Sequence, residues 1–281
     1  MIILQKKGLV KQMKKLKRIC MTTLMSCSII ISSTTNIYAA TLNMDSIRMQ
    51  IGDKYANQMQ NRLEKSSEII QDNWNTYADD IKFCNIDYEK GLAVYSYYSG
   101  ISIDMKTDAT RSLETQSKMK YANTFHEIGH SIAYILNDTF TDVKCDSISD
   151  TYKSEKYGCT MNEMLKKEGN SYFKKIRKKT TSNKKAWHML NKELKSYPRT
   201  ASYEISDIWD GLSNGKAYAY CAHTIAAKYP HYWNNVSVGC EAFADIYEAS
   251  ITNPKGVKLI KKYFPKSYEI FEEELQLKKN K

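Results

Sequence analysis

Between about residues 44 and 83, the apolar residues Ile51, Tyr55, Met59, Leu63, Ile70, Trp74, Tyr77 and Ile81 recur mostly three or four positions apart. That spacing puts them on one face of a helix. It predicts one long helix, or two with a break, packed on a core. The period changes over 91–107. There Ala93, Val94, Tyr95, Tyr97 and Tyr98, then Ile101, Ile103 and Met105, alternate with polar residues around Ser99-Gly100, which predicts a strand or hairpin. Helical spacing returns over 118–137 through Met119, Phe125, Ile128, Ile132 and Leu136. All four prolines (Pro198, Pro230, Pro254, Pro265) lie in the last third, where shorter helices and loops are expected to alternate. Glu241 to about Ser250 reads as helical. Asn253-Pro254 supplies an N-cap and a first-turn proline for the next helix, and Phe264-Pro265 starts another running to about Leu277. With no internal repeat and no Gly/Ser linker, the expected fold is one compact, helix-rich α+β domain.

The N-terminus departs from this pattern. Lys-Lys-Leu-Lys-Arg at 14–18 precedes an apolar run from Ile19 to Ile31, then polar residues and Ile-Tyr-Ala-Ala at 37–40. A charged, an apolar and a cleavable region in that order make a secretory signal, with the cut after Ala39. The apolar run is too short to span a bilayer comfortably. The expected protein is therefore secreted, extracellular and without a membrane span once residues 1–39 are removed, in the manner of a Gram-positive exported protein. Those residues also account for most of the net charge of +11: they hold seven basic residues and no acid, leaving 35 basic against 31 acidic. The basicity therefore gives no reason to expect a nucleic-acid partner. What stands out in the remainder is 166–185, with nine Lys/Arg against one acid, Glu168. It reads as a solvated helix or loop face, or as a contact for an anionic cell-wall polymer. Cys84, Cys145, Cys159, Cys221 and Cys240 remain after cleavage. Cys145–Cys159 and Cys221–Cys240 would close the shortest loops, and five free thiols are the alternative. No Cys-x-x-Cys exists, which excludes a Cys-rich zinc ribbon.

His126-Glu127-Ile128-Gly129-His130 carries the chemistry. Residues four apart share a helix face, so both imidazoles can reach one metal ion from successive turns. Glu127 between them is placed to take a proton from the water that the metal activates. A catalytic zinc site needs a third protein ligand, and the candidates downstream are His188, His223, His231, Cys240, Glu241 and Asp245. Glu241 is preferred, because Glu241-Ala-Phe-Ala-Asp245 sits in a helical stretch where carboxylates at i and i+4 share a face. Glu241 can then bind metal while Asp245 orients a ligand imidazole. A Cys240 thiolate in that role would favour a different reaction, such as deformylation.

Thr124-Phe125-His-Glu-Ile-Gly-His130 together with Glu241-Ala-Phe-Ala resembles the zincin metallopeptidases with a glutamate third ligand. Among them it is most similar to the branch that holds the anthrax lethal factor catalytic domain and the secreted Pro-Pro endopeptidases. The resemblance covers about 90–275. It implies a small mixed sheet and Zn²⁺-dependent hydrolysis of a protein or peptide bound in extended form, along an edge strand of that sheet expected at Gly100–Met105. It also implies an oxyanion-stabilising tyrosine shortly before the third ligand. The usual position, seven residues upstream of Glu241, is Asn234, so Tyr232 is the nearest candidate, with Tyr220 behind it. An Asp often found three residues beyond the second His is Ala133, and 111 residues separate His130 from Glu241. The expected organisation is thus a signal at 1–39, an N-terminal helical segment at 40–85 serving as propeptide or lead-in, and a catalytic domain at 86–281 with an insertion at about 140–215. The same helix and the Asn253-Pro254 to Pro265 ending also resemble metallopeptidase-like domains of phage minor head proteins. The competing reading is therefore a zinc-stabilised, non-catalytic binding module.

Overall fold

The computed structural model describes residues 41–88, 93–110, 119–142, 145–220 and 232–277, without the side chains of Asn234 and Asn235. Residues 1–39, read above as a secretory signal, lie outside the described residues, as do Cys221, His223 and His231. From Leu42 onward the chain forms one unit. The N-terminal stripe resolves into three helices rather than one or two: α1 (Asp45–Ile51), α2 (Asp53–Leu63) and α3 (Glu68–Tyr77). Gly52 breaks the first two apart at φ +80°, a left-handed conformation that glycine adopts without steric cost. Their apolar faces join the main core through Ile47, Met59, Leu63 and Trp74, all essentially inaccessible. Asn73 and Tyr77 on α3 donate hydrogen bonds to the backbone oxygens of Leu275 and Leu277, so this segment is tied to the far end of the chain.

The sheet has three short strands: β1 (Phe83–Asn85), β2 (Val94–Ser96) and β3 (Gly100–Ser102), in the order β1-β3-β2. β3 is parallel to β1 and antiparallel to β2, so the sheet is mixed, as expected. The hairpin turns before Gly100, whose φ is +94° and where a β-carbon would lie 2.5 Å from the Lys82 carbonyl oxygen. The expected edge strand is corrected here: Gly100–Ser102 is the central strand, because β1, a segment too short to show alternation, pairs on its far side. Val94–Ser96 is a free edge instead. Nor does the strand continue to Met105, where α4 (Met105–Thr110) begins.

α5 (Ala122–Phe140) carries the His-Glu-x-x-His segment and buries Phe125, Ile128, Ile132 and Leu136, the stripe read from the spacing. Its start is built by other elements. Asp108 of α4 accepts from the Thr124 N–H (2.8 Å) and the Thr124 hydroxyl (2.6 Å), placing a carboxylate at the helix N-terminus, where its charge is favoured. Tyr121, just before α5, adopts the left-handed region (φ 63°), a conformation that costs a non-glycine residue about 1–2 kcal/mol. Its hydroxyl donates to Gln58, and the Arg62 guanidinium lies 6.0 Å from its ring centroid.

The stretch expected as an insertion is four helices: α6 (Ile148–Thr151), α7 (Met161–Arg177), α8 (Asn183–Lys195) and α9 (Tyr203–Ser213). A capping box between Thr160 and Glu163 starts α7. After α10 (Tyr232–Asn235) comes α11 (Val238–Thr252), in which every residue but Ser250 is buried. A helix enclosed all round is a core helix, and α11 packs against α5, α6, α7, α9 and the following α12 (Pro254–Tyr263). The Asn253 side chain accepts from Gly256 N–H at the start of α12, and Pro265 opens α13 (Pro265–Leu275), as the sequence led us to expect. The chain is therefore helix-rich α+β. Among the described residues no helix is long and apolar enough to cross a membrane.

Candidate metal centre

α5 and α11 cross at Gly129, where a β-carbon would sit 2.7 Å from Ala244 Cα and 3.1 Å from Tyr247 Cβ. This close approach brings the two histidines of α5 onto the carboxylates of α11. His126 and His130 have ring centroids 4.8 Å apart and nearly perpendicular planes. The Glu241 carboxylate straddles them: Oε2 is 3.4 Å from His126 Nε2, and Oε1 is 3.5 Å from His130 Nε2. One donor atom from each of the three residues falls within 4.8 Å of the others, so this buried cluster can hold a metal ion. Glu241 Oε2 is buried without a hydrogen bond, an arrangement that otherwise costs a charged group heavily.

The surroundings orient these groups. His126 Nδ1 faces Asp245 Oδ1 at 3.2 Å, the placement read from the i, i+4 spacing. Burial opposes charge on the His126 ring, but Asp245 and Glu241 outweigh it and raise the imidazolium to about 10. Burial likewise opposes the His130 charge and is outweighed, chiefly by Glu241. The Glu241 carboxyl is pushed up by burial, yet the two imidazoles win and hold it well below its usual range. Burial, with Asp207 adding to it, lifts Asp245 to about 7 against the pull of His126. In this state protons stand in for a cation, and an incoming metal must displace them.

Glu127 is 8% exposed, and its carboxylate makes no hydrogen bond or ion pair among the described residues. Lying between the two histidines in sequence, it is the candidate general base. Tyr232 does reach the cluster: its hydroxyl donates to Glu241 Oε1, and burial followed by the Glu241 charge keeps the phenol protonated. Trp233 Nε1 anchors α10 to Asp210 of α9 at 2.8 Å. Tyr220 is elsewhere, exposed, and donates to the Lys195 carbonyl.

Of the other ligand candidates, Cys240 places Sγ 3.5 Å from His130 Nδ1, on the side of the ring away from Glu241. His188 is exposed on α8, outside the cluster. The Cys145–Cys159 pairing is corrected: both are free thiols, as are Cys84 and Cys240. Cys145 lies at the surface near Tyr98 while Cys159 is buried at the start of α7, so the short loop between them does not bring the sulfurs together.

Two neighbours escaped the sequence reading. Glu248 joins His126 and Asp245 in a second buried group, braced by the Thr252 hydroxyl at 2.7 Å. Its position three residues after Asp245 on the same helix was the available signal. Tyr95 on β2 stacks over His130 with centroids 6.4 Å apart and planes 19° apart, a long-range contact that local spacing does not reveal. No protein-family model, curated protein or solved structure matches this chain, so the functional reading rests on the cluster itself.

Proposed function

We propose that the chain is a secreted, zincin-like zinc metallopeptidase that hydrolyses peptide bonds. The observation that carries this reading is the Glu241 carboxylate bridging His126 Nε2 and His130 Nε2 at 3.4 and 3.5 Å. Ligands about 2.0–2.1 Å from zinc at the corners of a tetrahedron are separated by about 3.3–3.4 Å, and two imidazoles with one carboxylate form a known catalytic set. The donor set fits zinc, and its atoms lie within 4.8 Å of one another.

Zinc held by His126, His130 and Glu241 would supply Lewis acidity, polarising the scissile carbonyl and making water a nucleophile near neutral pH. The remaining steps fall to the chain's own residues. Glu127 takes a proton as water attacks the carbonyl carbon, then delivers it to the departing amine nitrogen as the C–N bond breaks. Tyr232, kept protonated, is the donor assigned to the developing oxyanion, once its hydroxyl turns from Glu241 to substrate. Asp245 fixes the proton of His126 on Nδ1, leaving Nε2 free as a ligand atom, and the Cys240 sulfur occupies the corresponding place beside His130. The free edge of β2, whose Tyr95 overlies His130, is where an extended substrate strand would pair.

Incubating zinc-loaded protein lacking residues 1–39 with a diverse peptide library, beside Glu127→Gln, tests the reading by mass spectrometry. Cleavage by the parent alone is expected, with Glu127→Gln keeping its zinc and losing about 10²–10⁴-fold in turnover. Full turnover in Glu127→Gln would sink the role assigned to that residue. One observation favours a second reading, a zinc-stabilised binding module: the Tyr232 hydroxyl is already spent on Glu241 rather than open to substrate. Silence from both proteins, folded and zinc-loaded, would select it.

A further inference from the structure

The proposed hydrolysis makes no use of the hairpin of α7 and α8. The two helices are locked by Phe173 and Trp187, whose rings stack with centroids 3.7 Å apart. Their connecting turn is built on Arg177. Its Nη1 donates to the Thr180 carbonyl at 2.8 Å, its Nη2 to the Thr181 carbonyl at 3.4 Å, and its Nε to Asn183 Oδ1 at 2.8 Å. The Ser182 hydroxyl then caps α8. Around this ordered turn Lys178, Lys179, Lys184 and Lys185 are exposed, and none of them makes an ion pair among the described residues.

The acids of α7 and α8 are engaged elsewhere. Glu163 closes the capping box of α7. Glu168 accepts from the backbone N–H of Lys266 and of Ser267 and from the Ser267 hydroxyl, at the start of α13. Glu193 accepts from the hydroxyls of Tyr172 and Tyr263. The charge is also concentrated. Residues 40–281 carry +4 in all while 166–185 alone carry +8, so the rest of that stretch is net negative. That concentration of charge steers a polyanion toward this tip.

Beside the tip lies a hollow of about 510 Å³ lined by Asn183, Lys184, Trp187, His188, Asn191 and Lys216. Asn191 is spent structurally, bonding the Lys216 carbonyl and the Tyr218 N–H, and fixes one wall. The Asn183 amide N–H groups remain available. An indole, an amide donor and two ammonium groups suit a unit with an apolar C–H surface, hydroxyls and a flanking phosphate.

We propose that this turn and hollow form a docking site for a phosphodiester-linked polyol or sugar polymer, tethering the chain to an anionic cell surface. The secretory pattern of residues 1–39 favours such a polymer over nucleic acid, because it sends the chain to the outside of the cell.

Binding of the chain lacking residues 1–39 to immobilised polyglycerol phosphate tests this, with duplex DNA as comparator, at low and high salt. Zinc content and thermal stability are read on the same samples. Expected are saturable binding that weakens with salt and survives chelation, and a loss of at least 100-fold when Lys178, Lys179, Lys184 and Lys185 are all changed to Glu. Zinc content and Tm should stay at parent values. Changing the same four to Arg should hold affinity within threefold, and Lys216→Glu should weaken it about tenfold. Absence of binding by the parent, parental affinity in the four-Glu variant, or equal affinity for duplex DNA would each overturn the proposal.

Discussion

Gly129 and Ala244 are the point at which the two halves of the metal cluster meet: a β-carbon on Gly129 would lie 2.7 Å from Ala244 Cα. Backbone cannot swing aside as a side-chain end can. Gly129→Ala would gain up to about 1 kcal/mol of helix propensity, but overpacking costs about 1–3 kcal/mol or more. The steric term wins. We expect a lower Tm and, because α5 must move off α11, weaker metal retention in competition with a chelator. Parental values of both would show that the helices have slack at this crossing.

Asp245 would act on a bound metal through His126, whose Nδ1 it faces at 3.2 Å. Asp245→Asn keeps the shape but removes the charge that holds the Nδ1 proton. Metal affinity should fall about 10–100-fold, read by zinc competition, with little change in far-UV circular dichroism. An unchanged affinity would mean that Glu248, also within reach of His126, is the group that orients the ring.

The parts of this site that were legible in the sequence are those set by local helical spacing. His126 and His130 four apart, and Glu241 and Asp245 four apart, each predict a shared face without knowledge of the fold. That the two faces oppose each other came only from pattern resemblance, since 111 residues separate His130 from Glu241. Strand order was not legible. β1 is three residues long, and only its pairing with β3 shows that Gly100–Ser102 is central. The capping of α5 by Asp108 and the stacking of Tyr95 on His130 are likewise tertiary facts, formed by elements whose own periodicity says nothing of their neighbours.

Metal removal should abolish hydrolysis without unfolding the chain. α5 and α11 bury Phe125, Ile128, Ile132, Phe243 and Ile246, and this apolar burial does not depend on an ion. Free zinc at a thousand times its Kd would add about 4 kcal/mol, or about 8–16 °C of Tm at this chain length. Thermal unfolding with and without chelator measures the shift. Collapse of the helical circular dichroism signal on chelation would show instead that the ion organises the fold.

Glu274 on α13 offers a pH-dependent test away from the metal. It is fully buried, and neither carboxylate oxygen has a hydrogen-bond partner. Burial, reinforced by Asp150 and Glu273, pushes its carboxyl well above the usual range. Between the unfolded-state value of about 4.3 and this raised folded value, the native state keeps a proton that the unfolded chain has released. Native protein thus binds more protons, and stability falls as pH rises through that interval. Glu274→Gln removes the titration while keeping the shape. The variant should match the parent near pH 4 and exceed it increasingly toward pH 8. Thermal melts across that range decide it. A Tm difference that stays constant with pH would show that Glu274 does not hold its proton in the folded chain.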